Sequence, residues 1–261
     1  MAVSRALRKR LRALSRRKER HGSGLLLAEG PRVVGDLLRA GGKVQDCLFT
    51  AEAVADPATA SLVDRLRASG ARCVEVTPSE LAEISDTVTP QGLLVVAAIP
   101  AADWRDIRDP RLLVVDGVQD PGNLGTMIRT AEALGAGGVI ILPGTVDPWA
   151  PKSVRAASGS SFRIPVLECG HQAAIDELEQ RGIPLWATAA DGDPLGRPDK
   201  GLERVALVVG NEGAGVSGMI REAAQRIVAI EQTADAESLN VAVAAAILLD
   251  RILGGDGAGS D

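Results

Sequence analysis

The sequence predicts an α/β protein of two parts, and three observations predict it. Apolar runs of strand length alternate with amphipathic helical stretches along most of the 261 residues. Several of those runs, such as LLVV over 112–115 and VALVV over 205–209, lack polar alternation, which marks parallel strands buried on both faces. A charged, irregular stretch over 101–110 separates a shorter first series from a longer second one. The expected organisation is a basic arm over 1–22, a small α/β domain over 23–100, a linker over 101–110, a second α/β domain over 111–254 and a flexible tail over 255–261.

Taken in order, residues 25–28 read as a strand, 32–40 as a helix closed by Gly41 and Gly42, and 44–50 as a second strand. A helix over 59–69 ends at Gly70; a strand over 72–76, a short helix opened by Pro78 and a strand over 93–99 complete the first series. The second series begins with LLVVDGV over 112–118 and a helix over 123–134. Strand GVIIL, a helical stretch over 152–157, strand IPVLEC and a helix over 171–181 follow. Strand IPLWATAA, a loop rich in Pro, Gly and Asp, strand RVALVVG, a short helix and strand RIVAI lead to the last helix. That helix is nearly free of polar residues from 241 to 249 (VAVAAAILL), so it is expected to be buried on almost all sides. Its entry carries Ser238 and Asn240, which fit either a capped core helix or one wall of a site.

Composition narrows the function classes. A hydrophobic content of 46% excludes wholesale disorder. No run approaches the roughly 18 apolar residues that cross a bilayer. Cys47, Cys73 and Cys169 are scattered without metal-type spacing, which suggests reduced thiols in a cytoplasmic protein. His21 and His171 lie outside every motif, so histidine catalysis and histidine metal sites are not expected. Five aromatic residues and no Tyr disfavour base-stacking platforms. The net charge of −5 conceals nine basic side chains in residues 1–20 against Glu19 alone. Such a segment is a nucleic-acid arm, a solvated frayed terminus or a presequence.

Three segments carry chemistry. Asp116-Gly117-Val118-Gln119-Asp120-Pro121-Gly122-Asn123-Leu124-Gly125 leaves a strand and enters a helix that bears Arg129, at the position where open α/β sheets bind ligands. Taken alone, Asn123 could be a helix cap and Arg129 a surface partner of Glu132. Gly210-Asn211-Glu212-Gly213-Ala214-Gly215 also follows a strand; its glycines allow close backbone approach, and the carboxylate inside it is unusual. It is neither a G-x-G-x-x-G fingerprint nor a P-loop. The third is Ser238-Leu239-Asn240 at the entry to the last helix.

In this order, Asp-Pro-x-Asn-x-Gly-x-x-x-Arg-Thr-Ala, Gly-Asn-Glu-Gly-x-Gly and Ser-Leu-Asn-Val-x-Val-Ala resemble the SpoU (TrmH-like) family of RNA ribose 2′-O-methyltransferases. The resemblance spans about residues 111–252, and 151–166 is similar to the family's connecting segment. The N-terminal part is similar to the ribosomal-protein-like substrate-binding domain of many members. The resemblance implies a trefoil-knotted parallel-sheet domain, a homodimer and S-adenosylmethionine bound in the knot, with no metal. Gly210, Ile230 and Leu239 would cradle the methyl donor, with Asn211, Thr188 and Ser238 nearby. Arg129, Asn123, Glu212, Ser238 and Asn240 would form the reaction centre, with Arg129 held by Glu212 and Asn123. The chain departs from the family where the usual Ile-Pro-Met run and glycine are Ile230-Glu231-Gln232 and Ala234, making the loop over the donor more polar. Ribosomal RNA is favoured as substrate over tRNA; a non-catalytic RNA-binding dimer is the rival reading.

Overall fold

The computed structural model describes residues 5–196, 202–233 and 239–253. The chain divides into two compact units, Met1–Ala101 with Trp149–Arg163, and Ala102–Pro148 with Ile164–Asp261.

The first unit opens with α1 (Arg5–Ala13) and α2 (Arg17–Ser23). Leu7, Leu11 and Leu14 recur at helical spacing and are buried, packing onto a core that includes Leu25, Leu27, Leu48, Leu94 and Val96. Over these residues the basic segment is therefore not a frayed terminus; one face of it is core. Then come β1 (Leu25–Glu29), α3 (Pro31–Arg39), β2 (Val44–Phe49), α4 (Ala51–Val54), α5 (Pro57–Ala68), β3 (Arg72–Glu75), α6 (Pro78–Ala82) and β4 (Leu93–Ala98). Helix starts are set locally. Proline opens α3, α5 and α6, Asp56 caps α5, and Thr77 with Glu80 forms a capping box on α6. The sheet order is β1-β4-β2-β3, with β4 antiparallel to both its neighbours and β2 parallel to β3.

The second unit starts with β5 (Arg111–Val115), α7 (Pro121–Ala133) and β6 (Gly138–Ile141). The segment that follows, with α8 (Pro151–Ala157), belongs to the first unit, where α8 packs on β1 and Arg163 pairs with the buried Asp36 at 3.0 Å. The second unit resumes with β7 (Val166–Glu168), α9 (His171–Gln180), β8 (Leu185–Pro194), β9 (Val205–Val209), α10 (Gly218–Ala223), β10 (Arg226–Ala229) and α11 (Val241–Leu253). Its six strands are all parallel, in the order β10-β8-β9-β5-β6-β7, as the unbroken apolar runs imply.

Two features differ from the sequence reading. β8 continues through Asp191–Pro194, where a loop was expected, and pairs with β10 across a register shift at Ile227 and Val228. A Cβ on Gly192 would lie 2.7 Å from the Val228 carbonyl carbon, so only glycine lets the two strands approach this closely. The final helix is not covered all round: Val243 is 47% exposed and Leu239, just before it, 39%.

Because β5 and β9 are neighbours with Val115 opposite Val209, the loops leaving them emerge side by side. The Asp116 amide donates to the Val209 carbonyl at 2.9 Å and joins the two exits.

Candidate active site

At the exit of β5 the backbone turns at Gly117, whose φ of 77° favours glycine. Thr145 Oγ accepts from the Gly117 amide at 2.9 Å and donates to the Val115 carbonyl at 3.0 Å, which fixes that turn. Asp120 then caps α7 by accepting from the Asn123 amide at 2.9 Å, and Pro121 occupies the first helical turn. The Asn123 side chain is thereby placed on the first turn of α7, pointing away from the helix.

At the exit of β9 the loop closes on itself. Asn211 and Gly215 exchange two backbone hydrogen bonds of 2.9 Å. Asn211 Oδ1 accepts from the amides of Gly213 and Ala214, and its Nδ2 donates to the Gly117 carbonyl at 2.9 Å. The Asn211 side chain is thus the fastener between the two loops. Gly210 beneath it has no room for a side chain, since a Cβ would sit 2.2 Å from the Gly215 carbonyl carbon. Glu212 is held out at the tip of this loop.

The third element arrives from the end of the chain. Asn240 Oδ1 accepts from the amides of Ala242 and Val243 at 2.9 and 3.3 Å, capping α11. Its Nδ2 donates to Asn123 Oδ1 at 3.0 Å, and Asn123 Nδ2 donates to Glu212 Oε1 at 2.9 Å. A chain of hydrogen bonds therefore links Asn240, Asn123 and Glu212 across sequence separations of 117 and 89 residues.

Beside it lies a cavity of about 660 Å³, within the range of small-molecule sites. Gly210, Asn211, Glu212, Thr188, Ile230 and Leu239 all line it, together with Glu231 and Gln232. Backbone from the β9 and β10 exits and the apolar side chains of α11 form its walls. This room and the polar groups at its rim fit an adenosine-like donor carrying charge.

The structure thus brings together Asn123, Glu212 and Asn240, and sets Gly210, Asn211, Thr188, Ile230 and Leu239 around one cavity. Ser238 lies outside the described residues. Arg129 is exposed, and its side chain makes no hydrogen bond or ion pair among the described residues. It is six residues beyond Asn123, which turns it about 120° round α7 from that side chain at 100° per residue. The expected grip of Glu212 and Asn123 on Arg129 is not formed, because those two side chains bond each other.

Two residues were not singled out from sequence. Asp116 is 3% exposed; its Oδ2 accepts from the Ser217 amide at 2.7 Å and its Oδ1 meets His171 Nε2 at 3.0 Å. It pins the far end of the glycine-rich loop to β5 and to the start of α9. An acid in the turn after an apolar strand was the available signal; His171, 55 residues away, offers none. His171 reaches the first motif after all, by bonding Asp116. Burial raises all three thiol pKa values, Cys169 to about 11, so none is a ready thiolate.

Residues 110–250 match the SpoU rRNA Methylase family, and residues 8–95 match the MRM3-like substrate binding domain. The chain is 35% identical over 241 residues to a Bacillus subtilis protein, the 23S rRNA (guanosine(2553)-2′-O)-methyltransferase RlmP; the match covers 92% of this chain and 93% of that one. Among solved structures, an AdoMet-bound rRNA methyltransferase from Sinorhizobium meliloti superposes with a TM-score of 0.86 at 31% identity, covering 97% of both chains. The SpoU methyltransferase AviRb from Streptomyces viridochromogenes, in complex with AdoMet, superposes with a TM-score of 0.87 at 28% identity, covering 96% of this chain and 98% of that one.

Proposed function

The chain belongs to the SpoU rRNA methylase family, and from that premise we propose that it methylates a ribose 2′-hydroxyl of large-subunit ribosomal RNA with S-adenosylmethionine as donor. The observation that carries the reading is the Asn240–Asn123–Glu212 hydrogen-bond chain at the rim of a cavity with room for the donor. The relatives' names support ribosomal RNA rather than tRNA, and residues 8–95 supply the substrate-binding part.

Bound in the cavity, S-adenosylmethionine supplies a methyl group made electrophilic by the adjacent sulfonium. Backbone at Gly210, Ile230 and Leu239 would hold it, with Thr188 and Asn211 close by. Asn211 acts chiefly by fastening the loop, since its amide is already committed to Gly117, Gly213 and Ala214. Asn123 orients Glu212, and Asn240 orients Asn123, so the carboxylate is pre-set rather than free to rotate. Glu212 Oε2 would then face the 2′-hydroxyl and take its proton as the oxygen accepts the methyl group. Arg129, without a partner among the described residues, binds the neighbouring phosphate and stabilises charge developing on the 2′-oxygen. A guanidinium stays protonated, so it serves as a cation and not as the base.

The catalytic unit carries the trefoil knot of its family and works as a homodimer in the cytoplasm. The support for a dimer is the apolar edge left open at Leu239 and Val243, which a second copy would cover. No helix among the described residues is long and apolar enough to cross a membrane.

The test is methyl transfer from labelled S-adenosylmethionine to separated rRNA and tRNA, read by nucleoside mass spectrometry. A ribose-methylated nucleoside from rRNA alone is expected. Label in tRNA alone would overturn the substrate, and label on a base would overturn the chemistry.

A further inference from the structure

The nine basic side chains of residues 1–20 divide by what they touch. Arg20 is 2% exposed and donates to the Leu14 and Ser15 carbonyls at 2.7 Å each, which closes the turn after α1. Arg10 reaches Gln45 at 2.8 Å and the buried Asp46 at 3.6 Å. Arg8 bonds Glu83 at 3.0 Å and Glu80 at 3.5 Å, and Arg12 donates to the Glu83 carbonyl at 2.7 Å. These groups fasten α1 to the body of its unit. Arg5 and Lys9 make no hydrogen bond or ion pair among the described residues. Among the described residues the Arg16 side chain meets only the exposed Glu19, at 3.6 Å, a pair that contributes little in water.

The cations also share a face. Arg5, Lys9 and Arg12 stand at i, i+4 and i+7 of α1, opposite the buried Leu7 and Leu11, and Arg16 follows in the turn before α2. Between them runs an open groove of about 870 Å³, lined by Arg5, Arg8, Lys9, Arg12 and Arg16 with the small residues between. We infer that this groove, formed by one face of α1 and the turn after it, is a docking surface for an RNA phosphate backbone, with Arg5, Lys9 and Arg16 as the contacts and Arg8 and Arg12 as the struts that aim the helix.

The inference deepens the functional reading above and rests on RNA being the substrate. Cations that are unpaired or weakly paired among the described residues, on or beside a helix whose other face is anchored, lose little freedom on meeting phosphates, and they release counterions when they do. Contacts of this kind position a substrate without reading its sequence. A lipid surface is the weaker match, because a membrane-lying helix must offer its apolar side, and here that side is core.

The test uses the full chain carrying Arg5→Gln, Lys9→Gln and Arg16→Gln together, titrated with purified large-subunit rRNA over a range of salt. Each lost phosphate contact flattens the slope of log affinity against log salt by about 0.7–0.9. The triple variant is expected to lose about 2 of slope, with donor affinity and melting temperature as in the wild type. An unchanged slope would overturn the surface. Should the triple variant fail to fold, Lys9→Gln alone is read the same way, with a loss of about 0.8 expected. Arg8→Gln is expected to lower the melting temperature and keep the slope; a slope loss matching that of Lys9→Gln would overturn the division between struts and contacts. Loss of binding to phosphatidylserine vesicles with the RNA slope intact would also overturn it, in favour of a membrane. Methyl transfer by the wild type to the same rRNA separates the two claims. Transfer with an unchanged slope sinks the surface alone, and a lost slope without transfer sinks the functional reading while the surface stands.

Discussion

Glu29 and Glu212 both sit where a strand gives way to a loop, one in each unit, yet their surroundings differ. Glu29 ends β1 and accepts three hydrogen bonds, from Ser85 Oγ at 2.6 Å, Thr87 Oγ1 at 2.9 Å and the Gln91 amide at 3.3 Å. All three donors come from one loop, so the carboxylate closes that end of the sheet. Among the described residues Glu212 accepts one bond, from Asn123, and it borders a cavity. Sheet direction accounts for part of the contrast. β4 runs antiparallel among its neighbours and brings its own lead-in loop to the edge where β1 and β2 end. In the all-parallel second unit every strand exits on one side, and helix starts gather there with no returning strand to seal it. A fully bonded carboxylate serves as glue, whereas one held by a single oriented partner beside a cavity is available for chemistry.

The contrast can be broken, and the largest effect on donor binding is expected at Gly210→Ala. A Cβ there collides with the backbone of Gly215 and Val216, overpacking of a kind that costs about 1–3 kcal/mol and is borne by the loop itself. Calorimetry should show donor affinity reduced at least about tenfold; wild-type affinity would mean the loop does not shape the cavity. Asn123→Ala removes both links of the hydrogen-bond chain at once and should lower kcat on the order of 10²-fold, with the donor Kd nearly unchanged. A matching loss in Kd would instead make Asn123 a structural residue. Asp116→Ala leaves the part-buried Ser217 amide without its acceptor and should cost about 1–3 kcal/mol in urea unfolding. Smallest is Glu29→Ala, for which about 1 kcal/mol of stability should go with kcat and donor Kd preserved; a fall in kcat would erase the distinction between the two carboxylates.

Much of this was legible in the sequence, for identifiable reasons. Unbroken apolar runs such as VALVV announce parallel strands, and the parallel sheet is there. Asn123, Glu212 and Asn240 stand in motifs that follow strands, so the local pattern names them. Their bonding does not follow from pattern, because it closes over 89 and 117 residues and depends on which strands are neighbours. His171 against Asp116 is invisible for the same reason. α1 was obscured by charge: Leu7, Leu11 and Leu14 carry the helical spacing, but nine cations around them suggest a solvated tail. The extension of β8 hides behind Asp191, Gly192, Asp193 and Pro194, a composition typical of loops that forms strand here because Gly192 lets β10 come close.

The most direct test of the account is a single-turnover methyl transfer measurement on Glu212→Gln with saturating S-adenosylmethionine and rRNA, alongside the donor Kd. Glutamine keeps the shape and can still meet Asn123, but it removes the negative charge set at the cavity rim. The account predicts a transfer rate lower by on the order of 10²-fold, with the donor Kd and the melting temperature as in the wild type. A rate within about twofold of wild type would contradict the claim that the half-bonded carboxylate is the working group of this site.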